Sequence, residues 1–373
     1  MIEDINSAGL PPGLLRLMDN ENPLGPSPLA LEAIEKYMQA INRYEWFEAA
    51  GNGGLQHLHP VNMLIQALAK SDGIPLCNPF APEAPHPYFI SSGVDQILKL
   101  LAVAYLTPGD RELIEAEPGY GEISEKARLI NDGGIPTRLV RVPLTKNHDH
   151  DLDAILQAIT PKTALVTITN PNNPTGTLLP YEALEQFIDA TPEHVVVIID
   201  EAYHHFVRDP NYRSAMFLAT SRDNVVVVRT FAKVYGIRGV LLGYAITSQA
   251  IKKKMLVYNH ARASPLAIMA GIAALDDHEH VRRSKQVVID AKERMYTAFN
   301  EMGLAYIQSH TNFVIVHVER DSQSVIQSLL DRRVAVSPRG SQVLKGWIRV
   351  SVGTLPETEV FLTSLKTVLA KIR

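Results

Sequence analysis

The chain has 373 residues, of which 46% are hydrophobic and 20% are charged, and its formal net charge is −4. This composition is typical of globular proteins and excludes a disordered chain, and the scattered positive residues disfavour a nucleic-acid binder. The longest uncharged apolar run, PLAIMAGIAAL at 265–275, is about half the length of a membrane span. The acidic start, MIEDINSAGL, does not resemble a signal peptide, and the single cysteine favours a reducing cytoplasm. We therefore expect a cytoplasmic protein with no membrane or nucleic-acid partner.

Short β-branched runs alternate with turns and helical patterns between about residues 88 and 245. The runs are YFISS, RELIEAE, TALVTITN, HVVVIID and NVVVVRT, and GVDQILKLLAVAYL at 93–106 predicts a helix between the first two. Such continuous apolar runs are typical of parallel strands that are buried on both faces. The sequence therefore predicts an α/β fold with a mostly parallel sheet flanked by helices, with ligands at the carboxyl ends of the strands.

The pattern changes beyond about residue 280. SKQVVIDAKERMYTAFNEMG predicts an amphipathic helix that ends at Gly303, and AYIQS, NFVIVHV, VAVS and WIRVSVG predict a smaller sheet. We expect a large domain at 45–265 and a smaller α+β domain built from 1–44 and 266–373.

Three polar residues follow predicted strands. Asn173 lies in TNPNNPTG, which also reads as a simple turn, and Asp200 ends the most hydrophobic strand, where it could equally cap a helix. Lys233 follows NVVVVRT by three residues, and an isolated lysine there is usually a structural residue that reaches water. A desolvated lysine, however, can present a neutral amine that attacks a carbonyl and forms a Schiff base.

Two further segments are candidate binding elements. Ser92 and Gly93 lie at the start of the helix at 93–106, where free backbone N–H groups and the helix dipole favour an anion. Tyr120, in EPGYGE, would be a core aromatic if it stood alone.

Six motifs in order resemble one family. They are NENPLGPSP, NPNNPTG, DEAY, TFAKVYGIRGVLLGY, AALDDHEHV and IRVSVGT, and they extend over almost the whole chain. Together they resemble the fold-type I pyridoxal-phosphate enzymes of the aminotransferase class I/II group, and they are most similar to the histidinol-phosphate aminotransferase branch. The resemblance implies an aspartate-aminotransferase-like fold and pyridoxal 5′-phosphate as the cofactor.

The resemblance also implies a role for each matching residue. Lys233 would hold the cofactor as an internal aldimine and transfer the proton at Cα, and Asp200 would keep the ring nitrogen protonated. Arg349 would bind the substrate carboxylate, and Asn22 would also contact the substrate. The remaining implied cofactor ligands are Asn173 and Tyr203 at the ring oxygen, Tyr120 on the ring face, and Ser92, Gly93, Val94 and Thr230 at the phosphate.

The first departure from the family pattern concerns the cofactor phosphate. Most members have an arginine eight residues after the lysine, and this chain has Leu241 there. Loss of a charge-assisted hydrogen bond costs about 1.5 to 3 kcal/mol. Arg238 is the nearest residue that could supply the charge, although a solvated Arg238 with the phosphate held by the helix dipole remains the alternative.

Two more departures concern the substrate and the partner subunit. The branch usually has a Tyr-Pro pair whose tyrosine reaches the partner's phosphate, whereas Tyr44 is followed by Glu45. Ser337 occupies the place of an arginine that binds the substrate phosphate, and Arg339 would have to replace it. The resemblance implies a homodimer with sites between the subunits, in which Tyr44 would act on its partner, and the segment after Tyr44 could instead be a remodelled lid or a surface loop. Unless Arg339 substitutes, we expect a substrate without a phosphate.

The sequence thus predicts a pyridoxal-phosphate-dependent transferase, an aminotransferase that acts on a non-phosphorylated L-amino acid. The alternative keeps the cofactor and changes the reaction to elimination, cyclisation, decarboxylation or oxidation. A non-catalytic relative is the third hypothesis. No metal is expected, because the paired histidines lie in different segments.

Overall fold

The computed structural model describes residues 13–42, 59–77, 85–107, 109–130, 136–260, 262–338 and 344–372. Within these ranges the chain forms strands and helices in alternation. The strands are β1 (Leu15–Leu17), β2 (Tyr88–Ser91), β3 (Glu112–Glu117), β4 (Arg138–Pro143), β5 (Thr163–Thr169), β6 (Val196–Asp200), β7 (Val225–Thr230), β8 (Gly243–Thr247), β9 (Tyr306–Ile307), β10 (Phe313–His317), β11 (Val334–Val336) and β12 (Trp347–Ser351). The helices are α1 (Pro28–Tyr37), α2 (Pro60–Asp72), α3 (Val94–Leu106), α4 (Glu122–Ile130), α5 (Leu152–Ala158), α6 (Tyr181–Ala190), α7 (Met216–Ser221), α8 (Gln249–Leu256), α9 (Pro265–Asp276), α10 (His278–Glu301), α11 (Ser322–Leu330) and α12 (Leu355–Lys371).

A seven-stranded sheet forms the centre of the molecule, in the order β2-β8-β7-β6-β5-β3-β4. The strands from β7 to β4 run parallel, and β8 is antiparallel to both of its neighbours. All five predicted runs form strands of this sheet, and the predicted α/β architecture is confirmed. β4 and β8 were not among the predicted runs, because RLVRVP is too charged and GYAIT too short to stand out.

The sheet is buried on both faces, as the continuous apolar runs predict. Along β6, Val197 and Ile199 belong to one hydrophobic cluster and Val196 and Ile198 to another. Since successive side chains of a strand point to opposite faces, helices cover both sides of the sheet. The ends of β6 and β7 are therefore held rigidly next to each other.

A buried ion cluster also joins β6 and β7 at this level. Arg229 donates to the carboxylate of Glu201 (2.9 Å) and to that of Asp72 on α2 (2.6 Å), and all three side chains are almost fully buried. Removal of one member would leave a buried charge without its partner, which costs several kcal/mol. The cluster fixes the residues that precede Thr230 and follow Asp200.

The predicted smaller sheet is split in two. β12, β10 and β9 form an antiparallel sheet, whereas β11 pairs with β1 in parallel. An isolated bridge between Ser337 and Arg349 joins the two. The pairing of β1 with β11 brings the N-terminal segment to the C-terminal part of the chain, as the domain prediction requires, but the boundaries at 44/45 and 265/266 remain predictions.

The helix α10 is longer than the helix predicted from residue 284. It begins at His278 instead of Ser284, because the side chain of Asp277 accepts a hydrogen bond from the backbone of His280 and caps the helix.

In the described part of the chain, no helix combines the length and hydrophobicity that crossing a bilayer requires.

Candidate active site

A cavity of about 420 Å³ opens at the carboxyl ends of β5, β6 and β7. This volume lies in the range of small-molecule sites. The structure brings almost all of the predicted site residues to this cavity. Its lining includes Ser92, Gly93, Val94, Tyr120, Asn173, Asp200, Tyr203, Thr230, Lys233, Arg238 and Arg349.

Lys233 lies in the loop after β7. Its Nζ donates a hydrogen bond to the backbone oxygen of Asp19 (3.2 Å) and lies 5.6 Å from the ring centroid of Tyr203. Lys233 is half-buried and lines the cavity, where its amine is accessible.

Asp200 ends β6 and is 8% exposed. Burial raises the pKa of its carboxyl to about 6, while the N–H of Ala202 (2.9 Å to Oδ1) and the charge of Lys233 act in the opposite direction. The bond from Ala202 resembles a local cap, but the segment that follows forms only a short 3₁₀ turn at His204–Phe206. Asp200 thus presents a buried carboxyl to the cavity.

Arg349 is a buried guanidinium held by three acceptors from different segments. Nη1 donates to Oδ1 of Asn173 (2.7 Å), and Nη2 donates to the backbone oxygen of Met18 (2.9 Å) and to Oγ of Ser337 (3.0 Å). These bonds fix the plane of the guanidinium, so that it is preorganised for a planar anion such as a carboxylate. Ser337 supports Arg349 and itself carries no charge.

The start of α3 forms the opposite end of the cavity. Gly93 has φ +90°, which L side chains rarely adopt, and it turns the chain from β2 into the helix. Gly243 is needed beside it, because a Cβ there would lie 2.8 Å from the N of Val94. Thr230 accepts a hydrogen bond from the N–H of Ala232 (3.0 Å). Ser92, Gly93 and Val94 thus bring the N-terminus of α3 to the cavity, and free N–H groups at a helix N-terminus favour an anion.

Arg238 also lines this end, in a half-exposed position. Its Nη2 is 3.6 Å from the carboxylate of Asp95, and the two side chains are 58% and 47% exposed. Leu241 lines the same cavity with φ +54° and 47% exposure. The structure therefore places a cation at the anion end, and it comes from position 238.

Tyr203 and Tyr120 form aromatic walls of the cavity. The ring of Tyr203 makes an edge contact with Phe313 (5.2 Å), and burial raises the pKa of Tyr120 well above its usual value, so Tyr120 is a neutral phenol. Tyr120 is thus a wall of the site and not only a core aromatic.

Asn22 is not among the residues that line the cavity, and its contact with the substrate remains a prediction. Its Nδ2 donates to the backbone oxygen of Val234 (2.6 Å) and to Oγ of Ser284 (2.8 Å), and its Oδ1 accepts from Leu24 (2.9 Å). These bonds occupy the amide of Asn22, and the bond to Val234 holds the residue that follows Lys233. Tyr44 and Arg339 lie outside the described residues.

The sequence analysis missed the segment Met18–Glu21. Asp19, Asn20 and Glu21 line the cavity together with Arg16, and backbone oxygens of the segment accept from Lys233 and Arg349. The segment immediately precedes and overlaps the motif NENPLGPSP, so the motif itself was the available signal. Every residue, however, has a backbone oxygen, so the use of particular backbone oxygens as acceptors cannot be predicted from the sequence.

Comparison with known proteins identifies relatives over nearly the whole chain. The model of a family described as aminotransferase class I and II matches residues 14–365. Histidinol-phosphate aminotransferase from Moorella thermoacetica is 35% identical, with 96% of this chain and 86% of the relative covered. The enzyme of that name from Caldicellulosiruptor saccharolyticus is 33% identical, with 95% and 92% covered.

Solved structures show the same fold. A putative histidinol-phosphate aminotransferase from Erwinia carotovora atroseptica has a TM-score of 0.82 at 25% identity, with 96% of each chain covered. Histidinol-phosphate aminotransferase from Sinorhizobium meliloti, solved with pyridoxal-5′-phosphate, has a TM-score of 0.80 at 25% identity, with 96% and 91% covered. Aspartate aminotransferase from Thermus thermophilus with maleate has a TM-score of 0.78 at 22% identity, with 95% and 91% covered.

Proposed function

The chain belongs to the aminotransferase class I and II family, and we propose that it transfers the amino group of a non-phosphorylated L-amino acid. Family membership confirms the predicted cofactor, pyridoxal 5′-phosphate, the predicted enzyme class, transferase, and the fold-type I architecture. The substrate and the roles of individual residues are the proposal.

The observation that carries the proposal is that one cavity contains a lysine amine, a buried carboxyl and a fixed guanidinium. When bound, pyridoxal phosphate supplies an electrophilic carbonyl and a ring that withdraws electrons from Cα of an attached amino acid. Lys233 provides the primary amine that attaches the cofactor and, once displaced by the substrate amine, the base that moves the proton at Cα. Arg349 orients the substrate through its carboxylate.

The residues present fit this cofactor at both of its ends. Asp200 offers an ionisable carboxyl for the ring nitrogen, and above pH 6 it is charged and able to keep that nitrogen protonated. Oδ1 of Asn173 accepts a hydrogen bond from Arg349, and the amide N–H groups of Asn173 have no partner among the described residues. Those N–H groups and Tyr203 are donors for the ring oxygen, and Tyr120 covers the ring face.

At the anion end, the N–H groups of α3 and the hydroxyls of Ser92 and Thr230 receive the phosphate. We propose that Arg238 supplies the positive charge that Leu241 does not. Arg238 pairs with the carboxylate of Asp95, and this carboxylate competes with the phosphate for the guanidinium. Arg238 would therefore interact with two anions.

The charges around Arg349 favour a substrate without a phosphate group. Ser337 is neutral, and the carboxylates of Asp19, Glu21 and Glu122 line the cavity. A phosphate on the substrate carries about two negative charges and an α-carboxylate carries one, so these carboxylates repel the phosphate more strongly, even though Arg16 partly neutralises Asp19 and Glu21.

Histidinol phosphate is the second candidate substrate, because the curated relatives named above carry that enzyme name. The structural observation in its favour is Arg16, a second guanidinium in the cavity lining, although both Asp19 and Glu21 pair with it. A phosphate group would have to displace these carboxylates.

The test is a panel of L-amino acids and histidinol phosphate, each with and without 2-oxoglutarate, with mass analysis of the products. The proposal expects turnover of an amino acid that requires the keto acid and preserves the carbon skeleton. Turnover of histidinol phosphate alone would replace the substrate proposal with the second candidate. Ammonia release or a cyclic product without keto acid would instead indicate elimination or cyclisation, and Lys233→Ala should abolish every activity.

A homodimer in the cytoplasm is also part of the proposal. Leu256 and Val257 at the end of α8 are exposed apolar residues, which supports burial against a second copy. If Tyr44 reaches the partner's phosphate site, Tyr44→Phe should weaken cofactor binding in a dimer. A monomer in gel filtration that binds the cofactor tightly would contradict this role, and fractionation of the source cells tests the location.

A further inference from the structure

Asn20 stands in an uncommon backbone conformation at the wall of the cavity. It has φ +56°, it is 2% exposed, and it lies between Asp19, whose oxygen accepts from Lys233, and Glu21. A non-glycine residue in the left-handed region is uncommon, although asparagine tolerates it better than most residues. The surrounding structure must therefore hold it in place.

Every polar group of Asn20 is engaged. Its N–H donates to Oγ of Ser351 (2.8 Å), and its backbone oxygen accepts from Asn312 (3.0 Å). Its side-chain Oδ1 accepts from Oγ of Ser351 (2.9 Å), and its Nδ2 donates to Oη of Tyr203 (2.9 Å).

The direction of these bonds determines the role of Tyr203. Oγ of Ser351 accepts the backbone N–H of Asn20 and donates its single hydroxyl proton to Oδ1 of the same residue. This fixes the carboxamide with Nδ2 toward Tyr203. The phenol oxygen then accepts, and its own proton is left to donate elsewhere.

Ser351 lies two residues after Arg349 on β12, so both side chains emerge from the same face of the strand. Oxygens of the segment Met18–Asn20 accept from Arg349, Lys233 and Asn312. The strand β12 carries Arg349, the proposed ligand of the substrate carboxylate, and it is connected to Tyr203 through Ser351 and Asn20.

We infer that Asn20, oriented by Ser351, is a positioning residue that makes Tyr203 a hydrogen-bond donor toward the cofactor. The inference rests on the proposed role of this cavity as the cofactor site. Asn20 acts through Tyr203, and Ser351 acts through Asn20.

Asn20→Asp is the decisive variant, because aspartate has nearly the same shape and tolerates the same backbone but only accepts hydrogen bonds. Tyr203 would then donate its proton to the introduced carboxylate and lose it for the cofactor. Apoprotein is titrated with pyridoxal phosphate by fluorescence, without substrate, in wild type, Asn20→Asp, Tyr203→Phe and the double variant. We expect a 10- to 100-fold loss of affinity in Asn20→Asp, about the size of one hydrogen bond to a charged group.

The double-mutant cycle separates positioning from a general structural effect. With Tyr203→Phe already present, Asn20→Asp should weaken binding by less than about threefold, because no phenol remains to be oriented. An equal loss in both backgrounds would overturn the inference. Wild type that binds no pyridoxal phosphate would instead contradict the proposed site.

Ser351 provides an independent arm if Asn20→Asp fails to fold. Ser351→Ala removes the hydroxyl that orients the carboxamide, and Ser351→Thr keeps it in a β-strand where threonine is favoured. The threonine variant should retain wild-type affinity and the same pH titration of the visible absorbance. The alanine variant should lose affinity and shift that titration, and equal behaviour of the two variants would overturn the role of Ser351.

Discussion

The two ends of the cavity differ in burial and in how their charges are held. At the ring end, Asp200, Asn173, Tyr203 and Arg349 are each at most 8% exposed and form hydrogen bonds to one another or to neighbouring groups. At the phosphate end, Arg238 and Leu241 are about half exposed, and the ion pair of Arg238 with Asp95 is long.

This difference bears on the departure at position 241. A change in a buried and fully hydrogen-bonded network leaves polar groups without partners, whereas an exposed charge can be replaced from another backbone position because water screens it. At the buried end the departure at Ser337 keeps a hydrogen bond to Arg349, whereas at the exposed rim Leu241 makes no such bond and we propose that Arg238 supplies the charge. Five predictions test this comparison.

The largest effect is expected at Lys233. Lys233→Ala should reduce turnover by about 10⁴-fold, because the variant loses both the attachment amine and the base. Wild-type protein treated with borohydride should gain the mass of the reduced cofactor at this residue, and the variant should not. Lys162→Ala, which changes an exposed lysine outside the cavity, is the control, and covalent attachment in Lys233→Ala would contradict the assignment.

Arg349 tests the preorganised carboxylate site. Arg349→Ala should raise KM for amino-acid donors by about 10- to 100-fold, since a charge-assisted bond to the carboxylate is lost. Arg349→Lys should restore little, because an ammonium cannot hold Asn173, Met18 and the substrate in one plane. Arg294→Ala, at an exposed pair with Glu359, is the matched control. An unchanged KM would show that the carboxylate binds elsewhere.

Asp200 predicts a pH dependence of cofactor binding. Since burial raises its pKa to about 6, the carboxyl becomes neutral as the pH falls below that value and no longer pairs with a protonated ring nitrogen. The affinity of apoprotein for pyridoxal phosphate should fall by up to about tenfold per pH unit below pH 6. Asp200→Asn should bind more weakly at pH 8 and lack this dependence, and a parallel pH profile in the variant would disprove the attribution.

The same raised pKa affects the stability of the apoprotein in the opposite direction. A buried carboxyl that prefers its neutral form destabilises the fold once it is ionised. This contribution is absent below the unfolded pKa of about 3.9 and is complete above about pH 6. Thermal melts of apo wild type and Asp200→Asn should therefore differ more at pH 7 than at pH 4, with the variant gaining relative stability.

The smallest effect is expected at the exposed rim. Arg238→Ala should weaken pyridoxal phosphate binding by about three- to tenfold and reduce its salt dependence, because the pair is half exposed. Leu241→Ala should have little effect, and Asp95→Asn should bind the cofactor more tightly because it removes a competing anion. If Arg238→Ala and Leu241→Ala bind equally well, the phosphate is held by α3 alone.

The sequence predicted strands from continuous apolar runs, and it predicted site residues from polar side chains that follow those strands. The runs that became β5, β6 and β7 are continuous β-branched segments, and the polar residues after them lie at one edge because parallel strands end together. Asn173, Asp200 and Lys233 were found by this argument, and the family resemblance added Arg349.

Contacts between distant segments could not be predicted. Asn22 was expected to contact the substrate because of its motif, yet the folded chain uses its amide to hold Val234. Asn20, two residues earlier, lines the cavity together with its neighbours Asp19 and Glu21, and it adopts a left-handed backbone conformation there.

The sequence by itself determined the α/β architecture through its local patterns, and the cofactor class through its motifs, which resemble those of one family; it also singled out Lys233 and Asp200 as candidates. The tertiary structure alone decided that β1 pairs with β11, that Ser337 and Met18 fix Arg349, and that Asn20 and Ser351 orient Tyr203. Apart from the bond between Ser337 and Arg349, these hydrogen bonds join residues 183 to 331 positions apart, so they depend on how the whole chain packs and not on any local pattern.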